Sequence, residues 1–396
     1  MTVIVEEMPW LDTVSLTMSL RAGVVFEPDG QQGGMAVLQD WLERGAGSLS
    51  SQDLANRFND EGIRRSSGVG KERMNFSASM LADSLDTALS LYGAILQEPW
   101  LREEDLQLAK DVALQDIDAL ADEPVQRLFL LLGKRFFKGV YQYNAYGDKD
   151  HISSLGAGQL GSLYERCLSP EGMIVSVAGG VTATEVVAMV ERHFGNWRGQ
   201  TLEVPAVELQ APVYDHINEV TSQTQIALAF ASEPPTGQAH YLYSLALNVL
   251  SGGMASRLFY EVREKRGLVY SVTAFARQLR DFGYTLAYAG TTPERAQETL
   301  DVLQAEIRKI CAGVSQDELE RARTGMLSQL VMQGESSSSR ASRLAGDLYI
   351  HGRPRSLEEI SEALDGVRLD ELNGYLAALQ LPPFTVLSLG PQALEV

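Results

Sequence analysis

The chain has 396 residues, 45% of them apolar and 21% charged, with 33 basic against 52 acidic residues and a formal charge of −19. That balance is globular, and its sign disfavours nucleic acid and anionic membrane surfaces as partners. No apolar run is long enough to span a bilayer, Met1 to Met8 lacks a signal-peptide pattern, and Cys167 and Cys311 are the only cysteines, so the expected setting is a reducing cytoplasm.

In chain order, the first clear element is an alternating strand over Val14–Leu20, followed by a helix. A strand at Phe76–Met80 leads into helical stretches at Ser84–Leu96, Glu103–Leu120 and Val125–Phe137. Within the second of these, Leu106, Ala109, Ala113, Ile117 and Leu120 recur at helical spacing and form one apolar face. A closing strand is expected within Pro170–Gly179. Residues 198–213, with Pro205 and Pro212 and no helical period, read as a linker. The second half repeats the order: strands at Thr224–Phe230 and Phe282–Ala289, a helix opening at Gln316-Asp317-Glu318-Leu319, and a closing strand within Pro382–Gly390. Asp105 matches Asp317 and Pro170 matches Pro382, an offset of about 212 positions in each case. The expected architecture is therefore α+β: two homologous α/β sandwich domains, residues 1–197 and 214–396, each a mostly antiparallel sheet covered by helices.

Five segments carry chemistry or a likeness to it. They are Gly34-Met35-Ala36-Val37-Leu38-Gln39-Asp40-Trp41-Leu42, the helix from Asp105 to Pro124, Gln223-Thr224-Gln225, Ser251-Gly252-Gly253-Met254-Ala255-Ser256-Arg257-Leu258-Phe259, and Arg263-Glu264-Lys265-Arg266-Gly267-Leu268-Val269-Tyr270. In this order and with the doubled α+β pattern, the chain resembles the pitrilysin and mitochondrial processing peptidase family over nearly its whole length. The resemblance implies clam-like halves enclosing a chamber for peptides or unfolded segments. It also implies a zinc held by His-x-x-Glu-His and a later Glu. Carried over residue by residue, the first His falls on Val37, the Glu on Asp40, the second His on Trp41 and the later Glu on Asp116. Val37 has no lone pair to give, and the Trp41 indole nitrogen only donates. Asp40 and Asp116 would leave an oxygen-only site, whereas zinc prefers His and Cys. No metal is expected in this chain. Val37 and Trp41 should be packed, and Asp40 and Asp116 solvated or hydrogen-bonded. His240, aligned with Val37 of the first repeat, lacks a following Glu or second His and is not expected to be a ligand.

The second half keeps what the first has lost. In the family an Arg and a Tyr seven residues apart hold the substrate backbone and the polarised carbonyl, and Arg263 and Tyr270 match that spacing. Gly252 and Gly253 resemble a short form of a glycine-rich substrate loop. The family's Asn-Ala-x-Thr-like edge strand is replaced by Gly62-Ile63-Arg64-Arg65-Ser66-Ser67-Gly68-Val69-Gly70, so strand addition of a peptide is not expected there. The resemblance thus implies a non-catalytic subunit of a heterodimeric zinc peptidase, with the zinc in a partner that carries His-x-x-Glu-His. A homodimeric peptide-binding or scaffold protein is the alternative. An active peptidase with an atypical metal on Asp40 and Asp116 is the least favoured.

Overall fold

A computed structural model describes residues 1–396 except Thr201, in the expected linker, and Gln238, in the segment leading to His240. The chain forms two compact units. The first comprises residues 1–121, 139–206 and 333–354, and the second residues 122–138, 207–332 and 355–396. Among the described residues no helix is long and apolar enough to cross a membrane.

The first unit is built on five strands: β1 (Thr2–Glu7), β2 (Thr13–Leu20), β3 (Arg64–Val69), β4 (Met74–Leu81) and β5 (Ile174–Gly179). Their order is β1-β5-β2-β4-β3, antiparallel except for the parallel pair of β1 and β5. The second unit repeats this with β6 (Tyr214–Asn218), β7 (Thr224–Ser232), β8 (Val269–Gln278), β9 (Gly283–Thr291) and β10 (Thr385–Gly390), in the order β6-β10-β7-β9-β8 and again with one parallel pair. The internal repeat is therefore a repeat of topology. β1 and β6 were not expected from sequence. Each is short and lies at an edge, paired with the last strand of its sheet.

Alternation explains the layers. In β2, Leu16, Met18 and Leu20 are buried on one face, while Ser15, Thr17 and Ser19 point to the other. In β7, Ile226, Leu228 and Phe230 enter the main core of the second unit.

The compact units differ from the sequential halves 1–197 and 214–396 in one exchange. The helix Pro124–Phe136, from the first half, packs on β7 and β10 of the second unit. The helix Ser337–His351, from the second half, packs on β2 and β5 of the first. The first of these helices buries Leu128, Leu132 and Phe136, one face at helical spacing. The second buries Ala341, Leu344 and Ala345. Its hydroxyls bond to the sheet, Ser337 to Ser15 at 2.9 Å and Ser342 to Thr17 at 3.5 Å.

Candidate functional site

In the first unit, the segment that matches a zinc motif is a helix, Gly34–Leu42, packed on the helix Glu103–Ala119. Its start is fixed by Glu27, whose carboxylate accepts N–H bonds from Gly33 (3.2 Å) and Met35 (2.8 Å). Glu27 is only 3% exposed. Burial pushes its carboxyl up to about 8, against the opposing pull of the Met35 and Gly33 N–H groups. Sequence reasoning had passed over this residue.

Val37 and Trp41 lie on the inner face of that helix, 0% and 1% exposed. The Trp41 indole N–H donates to the Arg102 carbonyl at 2.9 Å, which joins the helix to the start of Glu103–Ala119. Asp40 is half-buried and accepts from Arg44 Nε at 2.5 Å, one turn along. Asp116 is exposed on the neighbouring helix. The donor set at these positions does not fit zinc. One side chain is a hydrocarbon, one nitrogen has its proton committed to a carbonyl, and one carboxylate is paired with a guanidinium. Among the described residues there is no group of three or more His, Cys, Asp or Glu side chains arranged to hold a metal ion. Residues Arg64–Val69 do form a strand, β3, and it is the exposed edge of the sheet.

The second unit assembles Arg263 and Tyr270 into one cluster. Arg263 lies in a π-helical turn, Phe259–Glu264, a wider winding that recurs at functional sites. Tyr270 sits where the register of β8 against β9 shifts, between Val269 and Ser271, so the strand bulges at this residue. A bulge re-aims its side chain. Tyr270 is 82% exposed. The Arg263 guanidinium donates to the Tyr270 carbonyl at 2.7 Å. It also lies 4.9 Å from the Phe259 ring centre and 5.0 Å from that of Tyr270. Two aromatic faces thus hold the cation, and the phenol is left pointing outward. Phe259 is the member of this cluster that the sequence did not single out as a functional residue.

Gly252 and Gly253 follow the helix His240–Ser251. Gly253 has φ +138, a backbone state that other residues rarely adopt, and Ser256 Oγ donates to its carbonyl at 2.6 Å. The turn borders a cavity of about 190 Å3 shared with Met254, Glu318 and Arg321. Behind it, Arg257 grips Glu318 through two bonds of 2.7 and 2.9 Å. Those bonds hold the Glu318 carboxyl down at about 2. His240 opens its helix, with its ring edge-on to Tyr241 at 5.3 Å.

Comparison with known proteins bears on the family and the fold. Residues 2–146 match the family model described as Insulinase (Peptidase family M16), and residues 154–326 match Peptidase M16 inactive domain. Relatives include an uncharacterized zinc protease of Mycobacterium bovis, 28% identical over 98% of this chain and 91% of its own length. Another, from Rickettsia felis, is 26% identical over 94% of this chain and 91% of its own length. Among solved structures, a peptidase M16 inactive domain from Pseudomonas fluorescens superposes with a TM-score of 0.88 at 20% identity, covering 100% of this chain and 96% of that one. A protease from Helicobacter pylori gives 0.85 at 16% identity, covering 98% and 96%. With both halves matched in series, and the doubled fold shared across its length, the chain belongs to peptidase family M16.

Proposed function

We propose that this chain is the non-catalytic subunit of a heterodimeric zinc peptidase. A partner chain carries His-x-x-Glu-His and the zinc, and this chain contributes Arg263 and Tyr270 to the handling of peptides or unfolded segments. The observation that carries the proposal is a contrast within the one chain. Positions 37 and 41 are filled by buried apolar side chains, while Arg263 rests against the rings of Phe259 and of Tyr270, the latter an exposed phenol. An unused arginine–tyrosine pair would have no need of a π-turn and a bulge to present it. The relatives named zinc proteases support the reaction class. Gly252 and Gly253, beside their cavity, are assigned to substrate contact.

The chemistry asked of these residues is modest. A guanidinium is a fixed fork of donors suited to peptide carbonyls, and a phenol can donate to an oxygen on which negative charge develops. The test is co-expression with a His-x-x-Glu-His homologue and assay of peptide cleavage. Arg263→Ala or Tyr270→Phe should lower turnover by about 100-fold with assembly intact. Wild-type rates in both variants would sink the proposal. A stable homodimer that binds peptides and never cleaves them, with any such partner, would favour the scaffold alternative.

A further inference from the structure

One end of the first unit's sheet holds more positive charge than its carboxylate balances. Three turns meet there: the one leaving β2 at Arg21, the one joining β3 to β4 at residues 70–73, and the one entering β5 at residues 170–172. Arg73 is only 7% exposed. Its guanidinium donates to the Ser19 hydroxyl at 2.6 Å, to the Ser19 carbonyl and to the Gly172 carbonyl at 3.1 Å, and it lies 4.4 Å from the Tyr349 ring centre. Its Nη1 is buried and has no acceptor among the described residues.

Arg21 lies against the same turn. A Cβ on Gly172 would meet its Nε at 2.6 Å, and Gly172 has φ +70. Both features call for glycine, so the backbone leaves the Arg21 guanidinium its place. Arg21 is half-buried; its Nε is enclosed without an acceptor, and its side chain makes no hydrogen bond or ion pair among the described residues.

Two guanidiniums so placed repel each other. Burial pushes Arg73 down to about 10 and Arg21 adds to that shift, while Tyr349 and Glu72 oppose it. The Glu72 oxygens already accept from Tyr141 at 2.8 Å and Tyr349 at 3.0 Å. Glu171, on the third turn, is exposed and is not among the groups that act on Arg73. Lys71 adds a further cation, its ammonium donating to the Tyr141 carbonyl at 2.6 Å and the Tyr143 carbonyl at 2.9 Å. Arg21, Lys71 and Arg73 thus share the Glu72 carboxylate, a local positive excess in a chain whose overall charge is −19. Buried charges are ordinarily paired, and an enclosed donor without an acceptor is costly. A cation is repelled here, and a neutral amide brings no charge. A carboxylate or a phosphate brings negative charge and at least two oxygens, which is what adjacent guanidinium forks recognise.

We infer that Arg21 and Arg73 form a site for an oxyanion, a carboxylate or a phosphate, which enters on the half-exposed Arg21 side and takes the free Nη1 of Arg73 and Nε of Arg21. The site stands whether or not the chain serves a peptidase. The test is calorimetric titration of the full chain, at an ionic strength fixed with sodium chloride, with inorganic phosphate, N-acetyl-triglycine and the C-terminal amide of that peptide. Phosphate or the free-acid peptide should bind, the tighter of the two marking the anion as free or as a protein carboxylate, and the amide should not bind. Affinity should fall about tenfold in Arg21→Gln and in Arg73→Lys, which keeps the charge and loses the fork. It should hold in Arg64→Gln, at an exposed arginine of β3. Thermal melting separates binding from a structural role. Without added anion Arg21→Gln should melt no lower than the parent, because it relieves repulsion, and with phosphate it should gain less. No binding above the chloride background, an equal loss in Arg64→Gln, or melting of Arg21→Gln well below the parent without anion would overturn the inference.

Discussion

The two sheets share one strand order and receive one helix each from the opposite half of the chain, yet they hold that helix by different means. In the second unit, the face that meets Pro124–Phe136 includes Ala227, Ala229, Leu387 and Leu389, and Phe129 packs its ring against Tyr288 and Phe275. In the first unit the corresponding face is a row of hydroxyls: Ser15, Thr17 and Ser19 on β2, with Ser77 and Ser79 opposite on β4. Helix Ser337–His351 answers with Ser337, Ser342 and an ion pair between Arg340 and Glu6. The same topology is thus closed largely by bulky apolar side chains in one unit, aided by the Arg135–Asp215 and Arg127–Glu219 ion pairs, and by small side chains and hydrogen bonds in the other. Net hydrogen bonds stabilise less than the burial of large apolar side chains, so the first unit should hold its exchanged helix less tightly.

That difference can be broken most directly at Leu132, which has no exposed surface. Leu132→Ala should cost about 2–5 kcal/mol in chemical denaturation, and a cost below 1 would show that apolar packing does not anchor this helix. The first unit should instead respond to pH through Glu27. Between its ordinary value near 4.5 and about 8, the folded chain keeps a proton that the unfolded chain has released. Stability therefore falls as pH rises through that window. Glu27→Gln keeps an acceptor for the Gly33 and Met35 N–H groups without the buried charge. It should flatten the slope, leaving the variant more stable than the parent at pH 8 by on the order of a few kcal/mol. Parallel stability–pH curves for parent and variant would refute the assignment. Smallest of all should be the hydroxyl contacts: Ser337→Ala and Ser342→Ala should each cost under about 1 kcal/mol. If either approached the loss at Leu132, the comparison between the two sheets would fail.

Much of the fold was legible because it rests on local periodicity. The strands over β2 and β7 and the helix from Glu103 were recoverable from alternation and from the spacing of Leu106, Ala109 and Ala113. The packing of Val37 and Trp41 was legible only after the resemblance had singled those positions out, since both side chains are apolar and neither can offer a metal a lone pair. The helix exchange was not legible. Leu128, Leu132 and Phe136 announce a buried face, but nothing in their spacing says which sheet will bury it. β1 and β6 were missed because a short edge strand owes its state to a partner far away in sequence. Arg263 and Tyr270 were found through a resemblance. The π-turn and the bulge that present them carry no residue signal of their own. Glu27 looked like one surface acid among many until tertiary packing enclosed it.

On the proposed division of labour, this chain has given up the zinc and kept the residues that handle substrate. The most direct measurement is zinc content together with peptide cleavage, made on the purified chain and on the complex formed with a His-x-x-Glu-His homologue. Neither zinc nor cleavage is expected for the chain alone, and both are expected for the complex, with cleavage lost on Arg263→Ala while zinc is retained. Stoichiometric zinc and cleavage in the chain alone would contradict it.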